Sequence, residues 1–447
     1  MKNIVLMVIV AFAAELMSAV PVIREGSVKM SQPSGHGKVE IEYVLDNPPG
    51  IVTMDVQTNA GENVWVSIGG ASFANGLSGD AGHMVSTGDK KIYWDIRKTW
   101  PDRVVAEGGI RTVLKAWSAN SPPDYLAVDL SKENEHWFCE DEDKLPCGPI
   151  SGELAKTRWL VLKRVKAAGV RWVMGMSPQV KNGLENHIVR SPTKLVTLTS
   201  DYYMGVYEFT QGQFMSAGCN WAENFKYPAL KNQPLLPLIG YTWSKIRGSS
   251  STWPSAGAAS SESHNVDESS ILGVVRGRTG IDFDLPTEAQ WEFACRAGTE
   301  SPLYNGKEIS FSGHDPIAWI RYNTPEVDIE DNSGNLTKGH IAQPVGGKEP
   351  NKWGFFDMIG NTREFCLDVY SDAGDGKSEV IDPEGVMAPE SGTAQRVCRG
   401  GASDSSATLY GKEGIYGCSA AHRGSTSQNA AYYYNGFRVI CPVTLKW

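Results

Sequence analysis

The side chains of this chain best suited to redox or metal chemistry are its eight cysteines and eight histidines. No two cysteines form a CxxC pair, so their spacing predicts neither a zinc ribbon nor a thioredoxin-like site. His136, Cys139 and Cys147 are close enough in sequence to be considered as metal ligands, but the acidic run at 140–143 is typical of a solvated linker. A local disulfide, or two unpaired thiols, is the preferred interpretation of the two cysteines.

The composition is that of an ordinary globular chain with a mild negative charge. Its 447 residues are enough for two or three domains with hydrophobic cores, and 41% of them are hydrophobic. The formal net charge is −9, and no run of five or more lysines and arginines occurs. Because nucleic-acid binding usually requires a basic surface, nucleic acid is not expected as a partner.

The N-terminus has the pattern of a secretory signal peptide. Lys2 is followed by an apolar stretch at 4–14 and by small residues that end at Ala19. A bilayer-spanning helix needs about 20 apolar residues, and Glu15 interrupts this stretch. We therefore expect residues 1–19 to be removed, and the mature protein to be secreted, periplasmic or held at the cell surface without a membrane span.

The region at 20–130 alternates apolar and polar residues with a period of two, for example at 39–43 and 64–68. Turn-forming Gly, Pro and Asn residues separate these short runs, which predicts an all-β sandwich of immunoglobulin-like architecture. Nothing in this region indicates catalysis, and such sandwiches commonly serve as spacers or adhesive modules. Residues 131–157 are expected to form an acidic linker, and 158–447 a second domain.

The clearest helix of the second domain is predicted at 286–297, with the sequence PTEAQWEFACRA. Thr287 can cap its N-terminus, and Gly298 ends it. Ala289 and Phe293 are four residues apart, a spacing that buries one face of a helix.

This helix belongs to a segment, LPTEAQWEFA, that resembles the LPTEAEWEYA motif of the formylglycine-generating enzyme (sulfatase-modifying factor) family. Four further segments resemble motifs of that family in the family's order, at 201–210, 353–365, 396–401 and 436–438. The resemblance implies a compact α+β domain, related to the C-type lectin fold, for 158–447.

The family's enzymes oxidise a sulfatase cysteine to formylglycine with O₂, using copper(I) held between two cysteines. Thiolates suit copper(I), whereas hydroxyl groups do not. The matching positions here hold Ser405 and Tyr410 in one register, or Tyr410 and Ile415 in the other. Cys418 is the only thiol of the loop, so copper is not expected and the resemblance implies loss of catalysis. Arg423 does match the arginine that lies a fixed distance before the closing GFR, and is a candidate binding residue.

The resemblance also implies calcium as a structural cofactor. Asp357 and Glu364, seven residues apart, match the carboxylates of one of the family's two calcium sites, and Gly360 and Thr362 match its backbone carbonyls. Calcium prefers such hard oxygen ligands. The alternative is a turn in which the carboxylates bond backbone N–H groups. The family's second site would begin at Asn323.

A disulfide between Cys295 and Cys441 is a further implication of the resemblance. Secreted members of the family join the position of Cys295 to a cysteine just after GFR. That position is Val439 here, but Cys441 lies two residues on, on the same face of an extended strand.

The loop at 402–435 has the composition of a recognition surface, rich in Tyr, Ser, Gly and Asn. Its most distinctive residues, which are candidates for ligand binding, are Tyr432, Tyr433 and Tyr434. The alternative is an ordinary surface loop with aromatic packing. In the family-like motif at 353–365, Arg363 stands where the family has a tryptophan.

Three functions are therefore compared. The first is a non-catalytic, exported binding protein whose ligand is a protein or a glycan that the sequence does not identify. The second is a formylglycine-generating oxidoreductase in which Cys398 or Cys418 would have to serve. The third is an iron-dependent sulfoxide-forming oxygenase, which needs a set of three histidines that the scattered histidines do not provide. The first is preferred.

Overall fold

The computed structural model describes residues 20–32, 37–62, 64–69, 71–99, 108–176, 193–248, 265–371, 376–386, 393–405 and 417–445. The predicted signal peptide at 1–19 lies outside the described residues. No helix within these ranges is long and apolar enough to cross a membrane.

The N-terminal region is rich in short strands. They are β1 (Val22–Ile23), β2 (Lys29–Ser31), β3 (Lys38–Glu42), β4 (Leu45–Asp46), β5 (Gly50–Asn59), β6 (Trp65–Ser67), β7 (Leu77–Gly79), β8 (His83–Val85), β9 (Lys91–Asp95) and β10 (Ile110–Trp117). Two short helices accompany them, α1 (Ala71–Asn75) and α2 (Ile96–Thr99).

Two antiparallel sheets face one core in this region. One has the order β2-β3-β9-β7, and the other has the order β10-β5-β6 with β8 also paired to β5. Ile41 and Trp94 from the first sheet and Val56 from the second are buried in the same cluster. The prediction of a β-rich N-terminal region is thus confirmed, and the period of two corresponds to side chains that point alternately into this core.

The remaining strands are β11 (Tyr125–Asp129), β12 (His136–Cys139), β13 (Trp159–Val165), β14 (Val170–Met174), β15 (Lys194–Leu198), β16 (Tyr202–Gly205), β17 (Glu326–Glu330), β18 (Leu336–His340), β19 (Arg363–Val369), β20 (Glu379–Ile381), β21 (Gln395–Arg399), β22 (Gly424–Ser427), β23 (Asn435–Gly436) and β24 (Ile440–Pro442). The helices are α3 (Glu153–Thr157), α4 (Gln211–Ser216), α5 (Trp243–Arg247), α6 (Ile271–Thr279), α7 (Glu288–Arg296) and α8 (Phe311–His314). Single 3₁₀ turns occur at Glu142–Lys144 and Pro228–Leu230. This mixture of helices and strands confirms the predicted α+β class of the second domain.

The residues expected to form a linker are instead part of a sheet. Strand β12 pairs with β11, and β11 pairs with β13, in a five-stranded sheet of order β12-β11-β13-β16-β24. Cys139 and Cys147 are buried in the core shared with the N-terminal sheets, and both are free thiols. Residues 131–157 thus do not form a separate linker in this structure, because β12 pairs with the neighbouring β11 and its Trp137 and Cys139 are buried in the core of the N-terminal sheets.

Helix α7 forms as its sequence predicts. The hydroxyl of Thr287 accepts a hydrogen bond from the N–H of Gln290. In turn, the side-chain oxygen of Gln290 accepts a hydrogen bond from the N–H of Thr287. The helix ends where Ala297 and Gly298 adopt φ angles of 46° and 83°. Its buried face carries Trp291 into the core of the second domain.

Candidate functional site

The loop that follows β21 begins with a sharp turn at Gly400 and Gly401. Their φ angles are 87° and 76°, in the left-handed region that favours glycine. A Cβ atom on Gly401 would lie only 2.4 Å from the Sγ atom of Cys418. The turn therefore packs directly against this thiol, and any side chain at position 401 would displace it.

Cys418 is fully buried beneath the turn. Its thiol is hydrogen-bonded to Ser405, and the Nε2 atom of His314 lies 2.7 Å from its carbonyl oxygen. Burial raises the pKa of the thiol, which favours the protonated form. It is the only cysteine between Cys398 and Cys441 in the sequence, so this loop cannot supply two thiolates.

The positions that match the family's copper ligands carry no sulfur. Ser405 is buried, and its Oγ atom accepts a hydrogen bond from the backbone N–H of Ala402 at 2.9 Å. Tyr410 and Ile415, the other matching positions, lie outside the described residues. In either register the loop offers copper(I) no pair of soft ligands.

The three consecutive tyrosines occupy different environments. Tyr432 is 37% exposed, and its ring stacks on that of Tyr434 with the centroids 5.1 Å apart and the planes 8° from parallel. Tyr433 is buried, and its hydroxyl donates to the Oδ2 atom of Asp404 at 2.5 Å. Its ring meets Tyr434 edge-on at 5.0 Å. Tyr433 is therefore an anchor, whereas Tyr432 is exposed and Tyr434 is half-buried.

Each ring of the stacked pair is contacted by a cation. The guanidinium of Arg363 lies 5.2 Å from the ring centroid of Tyr434, and the ammonium of Lys226 lies 5.7 Å from that of Tyr432. Lys226 also donates to the backbone carbonyl of Ala431 at 3.3 Å. We call Arg363, Lys226, Tyr432 and Tyr434 the tyrosine surface.

Arg423, also a predicted binding residue, is tied to helix α7. Its guanidinium makes a two-point ion pair with the carboxylate of Glu288, at 2.6 and 2.8 Å, and donates to the carbonyl of Ser371 at 2.9 Å. With Lys194 and Asp368 it lines a cavity of about 260 Å³. Because its donors are engaged by protein groups, Arg423 is a scaffold residue of this cavity.

Three carboxylates and three guanidinium groups form a buried network around helix α7. This helix network consists of Glu288, Glu292, Asp368, Arg296, Arg399 and Arg423. Arg399 joins the carboxylates of Glu288 and Glu292, and Asp368 accepts from the N–H of Glu288 at 2.7 Å. Burial, followed by the charge of Glu288, raises the pKa of Asp368 to about 7.

A second group of buried charges surrounds the predicted calcium ligands. This carboxylate cluster consists of Glu208, Asp357, Glu364 and Arg438. Glu364 makes a two-point ion pair with Arg438 at 2.6 and 2.7 Å and accepts from the indole of Trp291 at 2.8 Å. Glu208 accepts from the backbone and hydroxyl of Thr362 at 2.9 and 2.5 Å.

The carboxylate cluster has more negative than positive charge. The Oδ2 atom of Asp357 accepts from the N–H of Gly346 at 2.7 Å, but its buried Oδ1 atom has no hydrogen-bond donor within the described residues. Burial raises the pKa of Asp357 to about 6, and burial with the charges of Asp357 and Glu364 raises the pKa of Glu208 further. A buried carboxylate oxygen without a donor, among like charges, is stabilised by binding either a proton or a cation.

The side chains alone do not complete a calcium site. In the parts of the chain that the structure describes, no three His, Cys, Asp or Glu side chains are grouped as metal ligands. Glu364 is already paired with Arg438. Calcium would therefore depend on the Oδ1 atom of Asp357 and on backbone oxygens such as those of Gly360 and Thr362.

Asn323, the start of the predicted second calcium site, holds a loop together. Its amide donates to Asp315 at 3.0 Å and to the carbonyl of Ala318 at 2.9 Å, and its oxygen accepts from the N–H of Ile320 at 2.9 Å. These bonds use the side-chain oxygen that a metal would need. The structure gives Asn323 a role in the conformation of the loop.

The predicted Cys295–Cys441 disulfide is absent from the structure, in which both cysteines are buried free thiols. The Sγ atom of Cys295 lies 3.8 Å from the carbonyl of Met358. Cys441 does share a face of the last strand with Val439, but that face enters another hydrophobic cluster, and it is Ile440 that packs in the cluster of Cys295. The prediction is wrong here because the shared face points away from helix α7.

Three residues of the carboxylate cluster and the tyrosine surface were not singled out by the sequence analysis. Glu208 and Arg438 were present only as letters of family-like motifs, and Lys226 was in no motif. An acidic residue directly after an apolar stretch, such as Glu208 after Tyr207, is a usable signal, because an acid that becomes buried there requires a partner. No local signal could have placed Lys226 beside Tyr432, since 206 positions separate them.

Comparison with known families gives a match over residues 164–443 to the model described as the sulfatase-modifying factor enzyme 1-like domain. Among curated proteins, the chaperone protein LppX of Paenibacillus barcinonensis is 29% identical over 200 residues, which cover 40% of this chain and 65% of that protein. The formylglycine-generating enzyme of Streptomyces coelicolor is 34% identical over 119 residues, 26% of this chain and 35% of the enzyme. The chain thus spans less than two thirds of the length of these relatives.

Similar solved structures include Treponema denticola variable protein 1, with 22% identity and a TM-score of 0.41, covering 64% of this chain and 95% of that one. PvdO from Pseudomonas aeruginosa has 17% identity and a TM-score of 0.43, covering 63% of this chain and 94% of that one.

Proposed function

Because this chain belongs to the sulfatase-modifying factor enzyme 1-like family, we propose that it is an exported, non-catalytic member that uses the family's domain to bind a protein or glycan ligand. The observation that carries the proposal is the lone, buried Cys418 where a pair of copper-binding thiols is required. A two-coordinate copper(I) site needs two thiolates, and burial opposes ionisation of this one.

The binding face of this proposal is the tyrosine surface. Tyr432 and Tyr434 present large, rigid rings whose arrangement is set by the buried Tyr433 and its bond to Asp404. Ordered tyrosines provide contact area at a low cost in conformational entropy. The N-terminal sheets would then act as the support that presents this face.

The alternative function is a formylglycine-generating oxidoreductase. It would need Cys398 and Cys418 to act together, but Cys398 is buried on β21 with its Sγ atom 3.8 Å from the carbonyl of Arg396. Burial raises the pKa of both thiols, Cys398 to about 11. No contact in the described residues favours this alternative.

The test is a copper(I) competition titration combined with incubation of the full chain, copper, O₂ and a sulfatase-derived cysteine peptide. An authentic formylglycine-generating enzyme is the positive control. We expect no stoichiometric copper binding and no loss of the peptide thiol by mass spectrometry. Conversion of the peptide to its aldehyde, abolished by Cys418→Ser, would overturn the proposal.

We also propose calcium as the structural cation of the carboxylate cluster. Support comes from the orphaned Oδ1 atom of Asp357 and from three carboxylates gathered around the single guanidinium of Arg438. Bound calcium would stabilise the ionised form of Asp357 and leave the Glu364–Arg438 pair in place.

A further inference from the structure

Among the arginines of the second domain that the structure describes, Arg363 differs from the others in having no partner for its side-chain N–H groups. Arg399, Arg423 and Arg438 each bond a carboxylate. Within the described ranges, Arg363 makes no ion pair and no side-chain hydrogen bond, and its recorded contact is the ring of Tyr434. A half-buried guanidinium therefore holds its donors unused beside an aromatic pair in which Tyr432 is exposed and Tyr434 is half-buried.

The environment of Arg363 keeps this group in place. One face of the guanidinium is occupied by Tyr434, which is itself held by Tyr432 and Tyr433 at centroid distances of 5.1 and 5.0 Å. Tyr433 is fixed in turn by Asp404. Because the stack is ordered before any ligand arrives, a ligand would lose little free energy in arranging the site.

The tyrosine surface carries the guanidinium of Arg363 as a donor and the hydroxyls of Tyr432 and Tyr434, which can donate or accept. The hydroxyls of Tyr432 and Tyr434 have no hydrogen-bond partner among the residues that the structure describes, whereas the hydroxyl of Tyr433 does. Lys226 adds a second positive charge that no carboxylate neutralises at ion-pair distance in these residues. Arg363 and Lys226 thus place two cations at this surface, and the nearby carboxylates are Asp404, which is bonded to Tyr433, and Asp331, which interacts with Lys226 at longer range.

We propose that the tyrosine surface binds an acidic glycan, with Arg363 receiving a carboxylate or sulfate group of the sugar. This inference rests on the proposed binding function and names its ligand class. The planar fork of a guanidinium matches the two oxygens of a carboxylate or sulfate. The rings of Tyr432 and Tyr434 provide apolar contact area for sugar C–H groups, and their hydroxyls can bond sugar hydroxyls.

The experiment is isothermal titration of the full chain with four probes. A tri-galacturonate carries carboxylates, a sulfated heparin tetrasaccharide carries sulfates, maltotriose is neutral, and hexaglutamate is an acidic peptide. We expect binding of at least one acidic glycan, at least about tenfold tighter than that of maltotriose and hexaglutamate. The first two probes distinguish a carboxylate ligand from a sulfate ligand.

Arg363→Gln should weaken the binding of the acidic glycan at least about tenfold. Arg363→Lys should recover part of the lost affinity, because lysine keeps the positive charge but lacks the planar fork of the guanidinium. The matched control is Arg171→Gln, an exposed arginine paired with Glu379, which should leave binding unchanged. Thermal melting of each variant verifies that the fold is intact.

Failure of both acidic glycans to bind, equal binding of maltotriose, tighter binding of hexaglutamate, or an unchanged affinity in Arg363→Gln would each overturn the inference. These outcomes leave a non-catalytic binding role standing. Conversion of the sulfatase peptide would instead overturn the proposed function, so the two failures are distinguishable.

Discussion

The two groups of buried charges in the second domain use similar residues with different results. In the helix network, three carboxylates meet three guanidinium groups, and each carboxylate has protein donors. In the carboxylate cluster, three carboxylates share Arg438, and the Oδ1 atom of Asp357 has no donor among the described residues. A buried ionic group must be compensated to be tolerated. The first group balances its charges within the protein and leaves only the Nε atom of Arg399 without a partner among the described residues, whereas on our proposal the second group takes up an added cation.

The largest loss of stability is expected from removing Arg438, the cation of the carboxylate cluster. Arg438→Met removes the ion-pair partner of Glu364 and leaves only the more remote Lys156 as a positive charge acting on Asp357, so we expect a loss of about 3–5 kcal/mol in the free energy of unfolding, measured in urea. Arg171→Met, which breaks an exposed pair, is the control and should cost under about 1 kcal/mol. A stability of Arg438→Met equal to that of the control would contradict this account.

Calcium should distinguish the two groups, because it is expected to bind the carboxylate cluster and not the helix network. At a free calcium concentration of about 100 times Kd, binding to the folded state should raise the free energy of unfolding by about 2.7 kcal/mol. EDTA should reverse the increase, and Asp357→Asn should abolish it, whereas Asp368→Asn in the helix network should retain it. A melting temperature that is unchanged by calcium and by EDTA, together with no metal in elemental analysis, would contradict the proposed calcium site.

The smallest effect is expected from a change of one pH unit, from pH 6 to pH 7, within the helix network. The pKa of Asp368 rises from 3.8 to about 7 on folding, mainly through burial, so the folded state binds more protons than the unfolded state between these values. The contribution of Asp368 to stability therefore decreases as pH rises through this window, by at most about 1.4 kcal/mol per pH unit, and is constant above it.

Asp368→Asn should remove this contribution while still accepting the N–H of Glu288 through its amide oxygen. The measurement is the difference in unfolding free energy between variant and wild type at pH 6 and pH 7. A difference that is the same at both pH values would show that Asp368 does not titrate there.

Local patterns in the sequence predicted the elements that depend on neighbouring residues. The cap at Thr287 and the end of α7 follow from side chains within one turn of the helix ends. The alternation at 39–43 corresponds to strand β3 because one face of that strand enters the core. The five family-like motifs likewise predicted the fold of the second domain.

Long-range pairing explains what the sequence did not show. Strand β12 was missed because it directly precedes the acidic run at 140–143, and its burial depends on packing in the core of the N-terminal sheets. The environment of Tyr433 depends on Asp404, 29 residues away, and nothing local distinguishes it from Tyr432. The direction of Cys441 was likewise set by packing between distant elements rather than by its position on the strand.

The five-stranded sheet has a consequence for the independence of the two regions. The family match begins at residue 164, within strand β13, which lies between β11 and β16. Severing the chain there would strip β16 of its neighbour and leave a row of unbonded backbone groups open to other molecules, an arrangement prone to aggregation. The N-terminal region should therefore unfold together with the second domain as one cooperative unit, rather than behave as a detachable module.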